Sequence, residues 1–164
     1  LPVVDGGPCE QGIESTVVQC QDNEICILRP GVILETHLKN FSNTVITKTS
    51  EKSPGHLANH YQPDHPLVWV KLDDPQQNIA GLLPLLENQS LPKSKTWQLP
   101  EDPRLGAREL YQSLRDHCQP GQTSLLLDDK AHKLESWAAI KDRLQKACHW
   151  VAFCKEGQWV LNKK

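Results

Sequence analysis

The second half of the chain alternates between short apolar runs and amphipathic stretches, and this alternation limits the possible folds more than any other feature. Apolar runs typical of strands cover 67–71, 95–99 and 123–127. Helical spacing of apolar side chains follows each run and predicts helices near 79–86, 103–118 and 135–148. Strands that alternate with helices predict a parallel sheet covered on both faces. We therefore expect residues 67–164 to form a small Rossmann-like, doubly wound α/β domain.

The first part of the chain predicts strands. A β-branched run at 15–20 and an alternating run at 24–28 are separated by a polar turn, which is the signature of a hairpin. Residues 39–66 are polar and contain several prolines, as is typical of a linker or lid loop. The predicted organisation is a β-rich segment at 1–38, a linker at 39–66 and the α/β domain at 67–164.

The composition excludes several classes of protein. The chain has 18 Lys and Arg against 20 Asp and Glu, which argues against binding nucleic acid or membranes through bulk electrostatics. The longest apolar candidate, 79–86, is too short for a membrane span and contains Gly81 and Pro84. The residues after Leu1 are not typical of a secretory signal. Because no methionine is present, we expect the chain to be a piece of a longer protein.

The six cysteines are predicted to be reduced thiols in a cytoplasmic protein. Their spacing fits no zinc template, and disulfide frameworks belong to short secreted chains. We expect most of the thiols to be buried, with Cys9, which lies near glycines, as the exposed one.

The segment 5–31 contains the residue types of an anion site. Its glycines allow a ligand to approach the backbone, and the hydroxyls of Ser15 and Thr16 stand where a strand is predicted to begin. Arg29, at the end of the next predicted strand, offers a fixed fork of donors. An ordinary strand beside a solvated arginine is the alternative. In the α/β domain, by contrast, the turns after the strands are acidic and no glycine-rich phosphate motif is present.

Five sequence blocks occur in the order seen in one known family. They are DGGPCEQGIESTVVQ, ILRPGVI, SPGHLANHYQPDHP, LYQSLRD and AIKDRLQKA. With these blocks the chain resembles the threonylcarbamoyl-AMP synthase family, and more narrowly its longer branch, in which a YrdC-like catalytic domain precedes a small C-terminal α/β domain. The resemblance implies that residues 1–38 are the C-terminal part of the catalytic domain.

The resemblance also implies an enzyme activity, that of a nucleotidyltransferase in tRNA modification. Enzymes of this family join L-threonine, bicarbonate and ATP, with Mg²⁺, into threonylcarbamoyl-AMP and pyrophosphate. A downstream threonylcarbamoyl-transferase then modifies tRNA, and tRNA is itself a candidate partner. The substrate contacts implied are Ser15 for threonine, and Arg29 and Tyr61 for ATP. The residues expected to shape the pocket or its lid are Glu14, Thr16 and His60.

The chain departs from the family pattern at several positions. Gln62 follows His60-Tyr61 where alanine is usual, Asp64 stands where a basic residue is common, and Gln19 replaces an aspartate. The family's Lys-x-Arg and Ser-x-Asn motifs precede the D-G-G block and fall outside these 164 residues. We therefore expect this chain alone to be inactive.

Two other interpretations remain open. His56, His60 and His65 could ligate a metal across the linker, although loop histidines bonded to the backbone are the ordinary alternative. The α/β domain could also be a non-catalytic regulatory module that binds tRNA or protein through its tryptophans or basic residues. These basic residues are Lys133, Lys141, Arg143, Lys146, Lys163 and Lys164. Because acidic residues are interspersed among them, a solvated helix face is the ordinary alternative.

Overall fold

The described part of the chain forms two β-sheets, a three-stranded sheet near the N-terminus and a five-stranded sheet in the second half. The structure is a computed structural model, and it describes residues 2–47, 61–91, 93–131 and 133–164. Within these ranges the strands and helices follow the predicted alternation closely.

The small sheet has the order β1-β2-β3. Strands β1 (Val17–Gln21) and β2 (Glu24–Arg29) form the predicted antiparallel hairpin. Its tight turn requires a positive φ, which Asp22 adopts at 51°. A short helix, α1 (Glu35–Leu38), leads to β3 (Thr44–Thr47), which pairs with β2 in parallel. The stretch predicted as a linker therefore contains a strand, because four β-branched residues in a row can pair with the free edge of β2.

The large sheet has the order β5-β6-β4-β7-β8. Its strands are β4 (Leu67–Lys71), β5 (Ser94–Trp97), β6 (Thr123–Asp128), β7 (Trp150–Lys155) and β8 (Gln158–Lys163). The first four are parallel and β8 pairs with β7 as an antiparallel hairpin. The predicted α/β fold with a parallel sheet is confirmed.

Helices cover both faces of this sheet. On one face, α3 (Pro103–His117) and α4 (Ala138–Ala147) pack on Trp69, and Leu110 and Leu144 are completely buried between them. On the other face, a 3₁₀ turn (Ala80–Leu82) continues into α2 (Leu83–Asn88). As the sequence predicts, Pro84 splits this region, because proline is tolerated only in the first turn of the helix.

The N-terminal segment is packed against the α/β domain. Ile13 is buried in the same apolar cluster as α3 and α4. A Cβ placed on Gly12 would lie 2.2 Å from the main-chain oxygen of Arg108, so only glycine allows this approach to α3. The segment that leads into β1 is thereby held beside the two helices.

The cysteines are free thiols with different exposures. Cys26, Cys118 and Cys148 are buried. The expectation that Cys9 alone is exposed is wrong, because Cys20 lies on the edge strand β1 and is also exposed.

Candidate functional site

One carboxylate, that of Glu14, collects hydrogen bonds from three parts of the chain. Tyr61, just before β4, donates its hydroxyl to Oε1 at 2.9 Å. Tyr111 on α3 donates its hydroxyl to Oε2 at 2.8 Å. Arg143 on α4 donates Nε and Nη2 to the same Oε2 at 3.1 and 3.0 Å. The rings of Tyr61 and Tyr111 stack with centroids 5.5 Å apart, so the two phenols form a wall beside the carboxylate.

Arg143 is the most deeply buried member of this cluster. Its side chain is 0% exposed, whereas that of Glu14 is 33% exposed. Nη1 donates to the main-chain oxygen of Pro30 and to Oδ2 of Asp142, the latter at 3.3 Å. The interpretation of Arg143 as part of a basic surface that could touch tRNA is therefore wrong, because its guanidinium is buried and paired with Glu14 and Asp142.

The electrostatics of the cluster favour the ionised carboxylate. Burial by itself raises the pKa of Glu14, but hydrogen bonds from its own backbone, Tyr111, Tyr61 and Arg143 outweigh it and lower the pKa to about 2. Burial and the neighbouring Glu14 charge raise the pKa of both Tyr111 and Tyr61, which stay protonated donors. Burial lowers the pKa of Arg143, but its bonds to Glu14 and the nearby Asp142 charge raise it overall.

Because the pKa of Glu14 is lowered in this cluster, we expect the protein to lose stability in acid as Glu14 becomes protonated. Because folding depresses the pKa of Glu14 from 4.5 to about 2, its ionised form stabilises the protein above pH 4.5, and this contribution is lost as the pH falls towards 2. The melting temperature of Glu14→Gln should lie well below that of the unsubstituted chain at pH 7, and the gap should narrow by pH 3. Glu10→Gln, at an exposed carboxylate of the same segment, serves as the control. An equal gap at both pH values would contradict the prediction.

The residues expected to bind substrate lie directly beside the cluster. Ser15 is exposed, and its main-chain oxygen accepts a hydrogen bond from Nε of the buried Arg29 at 3.2 Å. Thr16 binds the following loop, since Oγ1 accepts from the main-chain N of Ile33 and donates to its main-chain oxygen, both at 3.0 Å. The beginning of β1 and the end of β2 are thus joined at the predicted anion site.

Of the other residues predicted to bind substrate, form a lid or hold a metal, the structure describes only some. Tyr61 is half-buried in the cluster, whereas His60 and His56 lie outside the described residues. In the described part of the chain, no three His, Cys, Asp or Glu side chains are arranged to hold a metal ion. The participation of Tyr111 and Arg143 was not predicted. The blocks LYQSLRD and AIKDRLQKA contain them, but helical periodicity alone gave no reason to single them out.

Two open grooves flank the cluster. One, of about 370 Å³, lies between the N-terminal segment and the helices and is lined by Ile13, Val32, Ala107 and Ile140 among others. The other, of about 380 Å³, is bordered by Tyr61, Tyr111 and the polar residues that follow Tyr61. The first groove runs along the contact between the first part of the chain and the α/β domain, and the second lies between the segment before β4 and α3.

At the carboxyl end of β6, Asp128 is engaged in internal contacts. Asp128 Oδ2 accepts from Trp69 Nε1 at 2.8 Å. Oδ1 accepts from the main-chain N of Lys130 and Ala131 at 2.9 and 2.7 Å. This acidic turn therefore serves the fold of the domain.

Comparison with known proteins identifies the family. Residues 24–148 match the family model described as threonylcarbamoyl-AMP synthase, C-terminal domain. The chain belongs to this family. The resemblance to this family is thus confirmed. The match begins at the first residue of β2 and includes β3, the predicted linker and most of the α/β domain.

Individual relatives agree with this assignment. The chain is 38% identical over 73 residues to the threonylcarbamoyl-AMP synthase of Bacillus subtilis (strain 168), a match covering 40% of this chain and 21% of the relative. A solved structure of P. abyssi Sua5 has the same fold, with a TM-score of 0.69, 19% identity and coverage of 93% of this chain and 50% of that one. The chain thus spans half or less of the length of these relatives. Among the helices that the structure describes, none is long and apolar enough to cross a membrane.

Proposed function

We propose that this chain is the C-terminal portion of a threonylcarbamoyl-AMP synthase, a nucleotidyltransferase that supplies tRNA modification. The observation that carries the proposal is the family match over 24–148. A hydrogen bond from Nε of Arg29 to the main-chain oxygen of Ser15 brings these two predicted contact residues together and supports it further. In this function L-threonine, bicarbonate and ATP are converted to threonylcarbamoyl-AMP and pyrophosphate, and a downstream threonylcarbamoyl-transferase consumes the product in the cytoplasm.

We assign the substrate contacts to the start of β1 and the end of β2. The exposed hydroxyl of Ser15 would bind threonine, and the guanidinium of Arg29 would contact ATP, whose negative charge favours a fixed cation. Glu14 and Thr16 would hold this segment in place, because each is bonded to another part of the chain. These residues would belong to the catalytic portion at 1–38, which precedes the linker at 39–66 and the domain at 67–164.

We assign His60 and Tyr61 to a lid over this site. The P. abyssi structure is of a variant in which a consecutive histidine and tyrosine are both replaced by alanine, and His60-Tyr61 is a consecutive pair of the same residues. The hydroxyl of Tyr61 already binds Glu14, the residue next to Ser15. This bond supports a place for Tyr61 beside the proposed substrate contacts.

Mg²⁺ would enter this site as part of the ATP complex. The described residues form no group of carboxylates, thiols and imidazoles that could hold a metal ion by themselves. The α/β domain would act by holding the catalytic segment, since Tyr111 and Arg143 both bind Glu14. A chain with only these elements is expected to be inactive alone. Binding of tRNA by the α/β domain is a secondary proposal.

The proposal is tested by measuring pyrophosphate release that depends on both threonine and bicarbonate. The assay compares this 164-residue chain with the full-length protein that contains it. We expect release from the full-length protein and none from the chain alone. Ser15→Ala and Arg29→Gln in the full-length protein should each reduce release, whereas Ser42→Ala, in the loop before β3, should not. Absence of release from the full-length protein would refute the proposed function.

A further inference from the structure

The guanidinium of Arg143 joins two segments that are distant in sequence. Nε and Nη2 bind Oε2 of Glu14 at 3.1 and 3.0 Å, and Nη2 also reaches the main-chain oxygen of Glu14 at 3.4 Å. Nη1 donates to the main-chain oxygen of Pro30. Glu14 is the neighbour of Ser15, and Pro30 is the neighbour of Arg29. One side chain of the α/β domain therefore holds the residues that adjoin both proposed substrate contacts.

The orientation of this guanidinium is set by its own helix. Nη1 also binds the main-chain oxygen of Ala139 at 3.4 Å and Oδ2 of Asp142 at 3.3 Å. Asp142 is itself buried and paired with Lys146 at 2.9 Å. Arg143 is fully buried, and its bonds to Ala139 and Asp142 hold its side chain against α4. The guanidinium is therefore preorganised to bind Glu14 and Pro30.

The remaining contacts of Glu14 make the bridge rigid. Tyr111 shares Oε2 with Arg143, and Tyr61 binds Oε1, so both carboxylate oxygens are engaged from α3, α4 and the segment before β4. A carboxylate with bonds in three directions cannot rotate without breaking one of them. The main chain at Glu14, and with it Ser15, is fixed relative to the α/β domain.

We propose that Arg143 is a positioning residue of the synthase, which sets the separation of Ser15 and Arg29 by bridging Glu14 and Pro30. The inference rests on the proposed function, and Arg143 itself would not contact substrate. Its consequence is that the C-terminal domain takes part in catalysis through the geometry of the threonine and ATP site. Displacements of about 1 Å can reduce rates by about a hundredfold, so a loosened bridge should be visible in the kinetics.

The kinetic test uses Arg143→Lys in the full-length protein. Lysine retains the charge beside Glu14 but lacks the fork that reaches Pro30 at the same time. We expect kcat/KM for threonine to fall about ten- to a hundredfold, with a raised KM for threonine, while the melting temperature falls less than in Arg143→Met because the charge beside Glu14 is retained. Lys146→Gln, which removes the other cation bound to Asp142 on the same helix, should leave both constants unchanged. Tyr111→Phe removes one hydrogen bond to Glu14 and should lower kcat/KM for threonine by a smaller factor. This variant takes the place of Arg143→Lys if Arg143→Lys fails to fold.

A second measurement does not require activity. Hydrogen exchange on the 164-residue chain should become faster at the amides of 14–16 and 29–31 in Arg143→Lys, and remain unchanged there in Lys146→Gln. Unchanged exchange or unchanged kcat/KM for threonine in Arg143→Lys would overturn the inference, as would an equal loss in Lys146→Gln. If the unsubstituted full-length protein releases no pyrophosphate, the proposed function fails and the catalytic role fails with it, and the exchange data then report on the bridge alone.

Discussion

Replacing Arg143 by methionine is expected to lower the free energy of unfolding of this chain by about 3 kcal/mol. Methionine fills much of the volume but leaves Glu14, Asp142 and the oxygen of Pro30 without their shared donor. Breaking a buried ion pair by removing one partner typically costs about 3–5 kcal/mol, and the lower end applies because water can reach the partly exposed Glu14.

Denaturation in urea, followed by tryptophan fluorescence, measures this effect. Lys146→Met is the matched control, because Lys146 is paired to the same Asp142 but lies nearer the surface. Its loss should be smaller, because Asp142 keeps its bond from Arg143 and the bonds to Glu14 and Pro30 stay intact. An equal effect of the two substitutions would show that the bridge to Glu14 and Pro30 contributes nothing beyond the pairing on α4.

Replacing Gly31 by alanine is expected to cost about 2–3 kcal/mol and to displace the start of β1. A Cβ at this position would lie 2.1 Å from the main-chain N of Thr16 and 2.5 Å from the main-chain carbon of Ser15. Both are backbone atoms, so the clash can be relieved only by moving the strand or the loop. Under the proposed function, the same substitution in the full-length protein should raise KM for threonine, because Ser15 moves with the strand.

The control for this prediction is Gly6→Ala, at a glycine whose added Cβ would meet no atom within 4 Å. Urea denaturation should show no loss for this variant. Threonine-dependent kinetics of the full-length protein should likewise be unchanged. A Gly31→Ala protein with the stability and KM of the unsubstituted one would show that β1 and the loop after β2 are not held in this close contact.

The order of strands and helices in the α/β domain could be predicted because each element carries its own signal. Thr123–Asp128 is an apolar run buried on both faces, and Asp102 caps α3 with bonds to the main-chain N of Arg104 and Leu105. These signals depend on neighbours in sequence, so periodicity and capping rules find them. The strand Thr44–Thr47 was not predicted because its short β-branched run stands inside a polar stretch, and its pairing with β2 is a contact that local patterns do not reveal.

The candidate site could be predicted only in part. Ser15, Arg29 and Tyr61 follow from blocks that resemble a known family, and the confirmed membership supports the resemblance without testing these roles. Arg143 has the sequence context of a solvated helix face, with Lys141, Asp142 and Lys146 around it. Its burial depends on the position of Glu14, which lies 129 residues away in the chain.

The sequence by itself therefore determined the fold class, the β1–β2 hairpin and the family, because each depends on local patterns of apolar residues, on turn residues or on the order of motifs. Only the tertiary structure decided that Glu14 is a junction between the first part of the chain and the α/β domain. The physical reason is that a buried cation needs partners on every side, and those partners come from α4, the N-terminal segment and the loop after β2.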